Sequence, residues 1–322
     1  ILGKIIDVVN AERPTRYLQD GSMGPQDESL AFRAQFPPAA NKYGWLQREV
    51  LFPQRTAPVN PNKSEVTDWA ALTEHIKEYA KSLGADDVGI ADMNEDFTFT
   101  DRDPLPHTRV IAFAMNMKYD SMADIGQASQ TEVHRVYFKM LDVSVQLARY
   151  IGGFGYQATG HPNQGEYAHV PFAYLAGLGE LGKHGSLISP TLGSSIRLGL
   201  VSTDMPLVVD GPKDYGIDDM CTRCTVCTRF CPADAISPEK KVIKGVERFY
   251  VDTAACRPLF QHLWGCKICL MVCPFNGRGV FKEQYRVVAK DIAVAKEKHG
   301  YLKILAKRTP GADTNKILSE YL

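Results

Sequence analysis

Between Ser64 and Gly84 the apolar residues Trp69, Leu72, Ile76, Tyr79, Ala80 and Leu83 recur at helical spacing. That stripe predicts an amphipathic helix over about 66–83, with Gly84 standing where a C-cap belongs. Two short β-prone runs follow, Val88 to Ala91 and Val110 to Met115, and predict strands on either side of an irregular acidic segment around Asp101 to Pro106. Val133, Val136, Tyr137, Met140, Leu141, Ser144, Leu147, Ala148 and Ile151 define a second amphipathic helix over about 131–151, closed by Gly152 and Gly153, with Tyr137 on its buried stripe. A further helix is expected over about 168–178, and Ile196 to Ser202 reads as a buried strand. Helices and strands thus alternate, which predicts an α/β or α+β sandwich of about 150 residues.

The flanks read differently. Residues 1–65 hold Pro37, Pro38, Pro53, Pro58 and Pro61 with little periodicity, the pattern of an extended arm. Its apolar residues Phe32, Phe36, Trp45, Leu51 and Phe52 predict that the arm packs on another domain. After Pro274 the sequence is charged and helical, so a surface tail is expected. The chain divides into an N-terminal arm (1–65), an α/β domain (66–212), a cysteine module (213–282) and a C-terminal helical tail (283–322).

Composition narrows the partners. Lys plus Arg and Asp plus Glu both number 37, so no global field favours DNA, RNA or an anionic membrane. No run of eighteen or more apolar residues occurs, so no transmembrane segment is expected. The sequence opens on Ile1, which leaves room for a removed leader; the expectation is a cytoplasmic protein, or one exported as a folded holoprotein if a leader has been cut away.

All eight cysteines lie between Cys221 and Cys273. A disulfide framework would not leave the first 220 residues unstapled, so this clustering points to metal ligation. Cys221, Cys224, Cys227 and Cys231, followed by Pro232, fit C-x2-C-x2-C-x3-C-P, the bacterial ferredoxin run. A second half follows in Cys266, Cys269 and Cys273, followed by Pro274, with Cys256 upstream as the missing early ligand. In such runs the fourth cysteine ligates the other cluster. Crossed ligation therefore predicts one 4Fe-4S cluster on Cys221, Cys224, Cys227 and Cys273 and another on Cys231, Cys256, Cys266 and Cys269. Paired C-x2-C also binds zinc, but the two Cys-Pro endings favour iron–sulfur.

The order of motifs resembles the cobamide-dependent reductive dehalogenases and their relatives, the epoxyqueuosine reductases. The resemblance rests on Gly155-Tyr156-Gln157-Ala158, the run from Val170 to Gly185, Ile196-Arg197-Leu198 with Thr203 to Leu207, and both cysteine halves, and spans about residues 66–280. It implies a nitroreductase-like corrinoid-binding domain, holding a base-off cobamide, with a ferredoxin-like module of two 4Fe-4S clusters delivering electrons to cobalt. It further implies Tyr137 as proton donor, Arg197 as the basic residue that favours phenolate, and Asn163 as a polar group of the pocket loop. His134, His161 and Glu166 are further polar candidates, expected in supporting roles. Gly177, Gly179 and Gly182 also satisfy G-x-G-x-x-G, but they follow a helical run and open no βαβ unit. The segment Gly177, Gly179, Gly182, Lys183, His184, Gly185, Ser186 is instead expected to approach the corrinoid closely.

Three functions follow from these readings. The first is reductive dehalogenation of a small organohalide, with an external donor such as reduced ferredoxin, flavodoxin or a membrane partner. The second is an epoxyqueuosine reductase, which uses an acidic donor where Glu132 would fall and normally carries a basic RNA surface. The third is a ferredoxin-type electron carrier, which leaves the organised domain upstream of the cysteines unexplained.

Overall fold

The computed structural model describes residues 36–122, 126–163, 165–243 and 246–277. At its centre are four strands, β1 (Asp87–Asp92), β2 (Arg109–Asn116), β3 (Ala158–His161) and, after the short hairpin of β4 (Glu180–Leu181) and β5 (Leu187–Ile188), β6 (Ile196–Thr203). They lie in the order β1-β2-β6-β3, and every neighbouring pair is antiparallel. Of the two architectures the sequence allows, the sheet is therefore the α+β kind.

Side chains alternate across a strand, and this sheet is covered on both faces. Ile111, Phe113 and Met115 join one core with Ile76 and Ala80 of α2 (Trp69–Ser82) and Val133, Val136, Met140 and Leu147 of α4 (Gln127–Gly153); a single turn, α3 (Tyr119–Met122), lies between those helices. Val110, Ala112 and Ala114 point the other way, against Phe172 and Ala173 of α5 (His169–Leu175). Each Val, Leu, Ile, Phe or Met among them, fully buried, contributes about 1.5–3 kcal/mol. Gly199 is set by its neighbour: an added Cβ would lie 2.2 Å from the Phe113 ring, which crosses β6 there. Helix α2 begins at Trp69 because the Asp68 carboxylate accepts the Ala71 amide at 2.9 Å.

The arm departs from the extended expectation. Residues 38–54 are helical, with α1 (Pro38–Trp45) followed by a π turn (Leu46–Leu51) and a 3-10 turn (Phe52–Gln54). Pro38 and Pro53 sit at the starts of these pieces, where a missing amide proton costs nothing. Contact with α4 is made by small residues, since Ala40 and Gly44 are buried while Trp45 and Phe52 are 53% and 44% exposed. Phe36 does pack, edge-on to His134 at 4.8 Å, whereas Phe32 lies outside the described residues. Beyond the turns the chain runs along the free edge of β3: the Ala57 amide donates to the Ala158 carbonyl and the Gly160 amide to the Arg55 carbonyl.

The cysteine module contains α6 (Ile217–Arg223), α7 (Val226–Arg229), the hairpin β7 (Ile236–Ile243) and β8 (Val246–Val251), α8 (Thr253–His262) and α9 (Ile268–Met271). It is fastened to the sheet domain by Asn276, whose Oδ1 accepts the amides of Ser194 (3.1 Å) and Ser195 (2.6 Å), and by Lys267, which donates to Ser129 Oγ at 3.1 Å. Of the expected tail, only the 3-10 turn Pro274–Gly277 is described, and residues 278–322 lie outside the described residues. Among the described residues no helix is long and apolar enough to cross a membrane.

Candidate functional site

The two cysteine halves interleave. Cys221 on α6, Cys224 and Cys227 line one cavity with Cys273 from the second half, together with Lys183, His184, Ile188, Met220, Pro274 and Phe275. The other four thiols form a second group, in which Cys231, Cys256, Cys266 and Cys269 act on one another electrostatically. Spacing predicts this same partition. Burial pushes Cys227 and Cys266 up to about 12, and Cys256 and Cys273 up to about 11. Thiols held so firmly protonated need a bound cation to become ligands, so metal binding here must release protons. Among the described residues no three His, Cys, Asp or Glu side chains close on one point that a single ion could occupy. The first quartet surrounds a volume, as a cubane requires and a tetrahedral zinc ion does not.

The glycines of the segment expected to approach the corrinoid make close contacts within the chain. A Cβ on Gly179 would lie 2.1 Å from the Ile188 carbonyl oxygen, one on Gly182 2.6 Å from the Ile188 side chain, and Gly177 takes φ +73° against the Gly211 carbonyl. These contacts fold the β4–β5 hairpin tightly against its surroundings, and its turn carries Lys183, His184, Gly185 and Ser186. Lys183 and His184 thereby enter the wall of the first thiol cavity. Burial lowers His184 to about 4.

Strand parity assembles the second constellation. Ile196, Leu198 and Leu200 face α5, so Arg197 faces α4, and its guanidinium carbon lies 5.2 Å from the centre of the half-buried Tyr137 ring. Arg197 Nε is buried with no hydrogen-bond partner, and so is the hydroxyl of Ser195 just before the strand. Buried polar atoms are ordinarily paired, and these two have no partner among the described residues. His134, one turn before Tyr137, is 6.2 Å from its ring, ring centre to ring centre. Asn163 is exposed in the turn after β3, and no contact among the described residues joins it to the Tyr137–Arg197 pair.

Comparison with known proteins bears on the whole arrangement. Residues 220–284 match the 4Fe-4S dicluster domain family. Over 282 residues the chain is 28% identical to a tetrachloroethene reductive dehalogenase of Sulfurospirillum multivorans, covering 72% of this chain and 56% of that protein. The chain is a relative of the reductive dehalogenases. A reductive dehalogenase solved in work on B12-dependent dehalogenation superposes with a TM-score of 0.75 at 24% identity, over 96% of this chain and 48% of that one. An epoxyqueuosine reductase of Lactococcus garvieae is 31% identical over 150 residues, 44% of this chain and 41% of that protein. The chain thus spans about half the length of the dehalogenases it matches.

His161 and Glu166, expected in supporting roles, are joined by three residues that the sequence did not single out, Arg55, Ser202 and His107. Arg55, at the end of the arm, makes a two-pronged ion pair with Glu166 at 2.9 and 2.7 Å, and Glu166 accepts from His161 Nδ1 at 2.7 Å. His161 Nε2 meets Ser202 Oγ at 2.7 Å, and Ser202 also meets His107 at 2.6 Å. His161 and Glu166 bracket the turn that carries Asn163, and the 111-residue gap between Arg55 and Glu166 hides the pair from any local pattern. Burial alone would raise Glu166, but the bonds from His161 and Arg55 overcome it and hold the carboxyl well below its usual range. Burial lowers His161, partly offset by Glu166, and lowers His169, whose ring bonds the Leu198 carbonyl, to about 4.

These shifts fix a pH dependence. A group whose folded pKa is depressed stabilises the fold above its unfolded value and loses that contribution as pH falls through the folded one. For His169 the window runs from about 6.5 down to about 4. Acidification from pH 7 to 4 should lower the unfolding midpoint, with His169 supplying up to ~3 kcal/mol of the loss. His169→Phe should flatten the profile in that window; an unchanged slope in a folded variant would rule His169 out as a contributor.

Proposed function

We propose that the chain is the catalytic and electron-relay part of a cobamide-dependent reductive dehalogenase acting on a small organohalide. The observation that carries this reading is the Tyr137–Arg197 pair, 5.2 Å apart, in a chain that also holds two complete thiol quartets. The net reaction takes two electrons and one proton, replaces a carbon–halogen bond by carbon–hydrogen and releases halide. When bound, the corrinoid supplies the reducing centre for that bond cleavage. The unpaired donors of Ser195 and Arg197 fit it or the substrate beside it, and Gly185 and Ser186 at the hairpin turn are further proposed contacts.

The remaining steps belong to side chains. Tyr137 holds the proton at Oη and delivers it to the carbon that loses halide. The Arg197 guanidinium lies over the ring, 5.2 Å from its centre, and places a positive charge beside the group that gives up the proton. Asn163 would contribute a polar contact from the pocket loop. The quartets would pass electrons singly from an external donor such as reduced ferredoxin or flavodoxin.

The test is anaerobic reconstitution with iron, sulfide and cobalamin, followed by incubation with chlorinated and brominated substrates and a strong one-electron donor. Halide release that needs both the corrinoid and the clusters is expected. A protein that binds no corrinoid, or binds it and reduces an epoxide-bearing tRNA nucleoside instead of releasing halide, would refute the assignment.

A further inference from the structure

We propose that Lys183 and His184 raise the reduction potential of the cluster held by Cys221, Cys224, Cys227 and Cys273, the lysine by its buried positive charge and the histidine by a ring N–H offered to the cluster. The inference rests on the cluster-binding part of the reading above and not on the halide chemistry.

Lys183 is 1% exposed. Its ammonium donates to the Cys224 carbonyl at 2.7 Å and lies 4.6 Å from the centre of the Phe249 ring, and no carboxylate among the described residues forms an ion pair with it. An ammonium taken out of water without a counter-charge is strongly disfavoured. The compensating negative charge available in this cavity is that of the four thiolates and the cluster they would hold.

His184 supplies the second term. Its Nδ1 accepts the Ser186 amide at 3.2 Å, so the ring proton of the neutral imidazole sits on Nε2. That Nε2 is buried without a partner in a side chain that lines the same cavity. Gly182 makes the placement possible, because a Cβ there would come 2.8 Å from His184 Cε1. Hydrogen bonds to cluster sulfur and nearby positive charge both favour the reduced, more negative state.

The experiment is an EPR-monitored redox titration of the full chain loaded with iron and sulfide, with iron analysis of each sample. The step belonging to the first cluster is identified as the one missing from Cys273→Ser. Lys183→Met should lower the reduced-to-oxidised ratio of that cluster at fixed potential by about tenfold, about 59 mV for a one-electron couple. His184→Leu should lower it by about threefold. Lys183→Arg should preserve it, and the second cluster should titrate unchanged in all three. Where Lys183→Met fails to retain iron, His184→Leu and Lys183→Arg decide the matter. Unshifted titrations in iron-replete variants, or equal shifts of both clusters, would overturn the inference while leaving the cluster assignment intact. Unaltered protein that cannot hold two clusters would overturn both, and iron analysis separates the two failures.

Discussion

Tyr137→Phe is expected to lower turnover by about 10²–10⁴-fold, the usual contribution of a positioned general acid, while iron content and bound corrinoid stay unchanged. The substitution removes one oxygen and keeps everything else that the ring does. Its packing between α4 and the sheet core persists, and the Arg197 guanidinium keeps its aromatic partner at 5.2 Å. A purely structural tyrosine would therefore tolerate phenylalanine with little effect. A proton donor would not, since the hydroxyl that carries the transferred proton is gone. Initial rates of halide release, measured with the visible spectrum of the bound corrinoid as an internal standard, separate loss of chemistry from loss of cofactor. Near-normal turnover would retire Tyr137 and move attention to His134, which borders the same ring.

How the site could be found in the sequence depends on which force places each residue. Helices α2 and α4 and strands β1, β2 and β6 carry long buried stripes, and their periodicity predicts them to within a few residues. Strand β3 escapes that reading. Its four residues, Ala158 to His161, have little β propensity and are held by pairing with β6 and by Gly160, which lets Ser144 of α4 approach the backbone. The hairpin β7–β8 escapes for the opposite reason, since β7 is largely exposed and shows no buried alternation. Tyr137 and Arg197 are each legible as residues, but only the parity of β6 and the packing of α4 on that face bring them together. Lys183 and His184 stand in a segment whose glycines resemble a cofactor loop; the tight contacts of Gly179 and Gly182 with Ile188 are tertiary, so the sequence alone could not show that the loop turns toward the cysteines.

The cysteines are the part of the site most completely written in the sequence, and they give a sharp test because neighbours in the chain should belong to different clusters. Cys231→Ser and Cys266→Ser should damage the same cluster although they lie in different halves. Cys273→Ser should damage the other, together with Cys224→Ser, despite standing only four residues after Cys269. The structure supports the crossing twice: Cys273 lines the cavity of the first motif, and Cys231 acts electrostatically on Cys256, Cys266 and Cys269. Each serine replaces a ligating sulfur; Cys221, Cys227, Cys231 and Cys273 are buried and the other four partly buried. Loss of roughly half the iron is the expected outcome for every single variant. The informative quantity is the EPR spectrum of the surviving cluster, which should be the same for Cys231→Ser, Cys256→Ser, Cys266→Ser and Cys269→Ser and different for the remaining four. Spectra that instead sort by half, with Cys231→Ser resembling Cys221→Ser, would mean that each motif closes on its own cluster. In that case Cys273 could not complete the cavity that Lys183 and His184 help to wall.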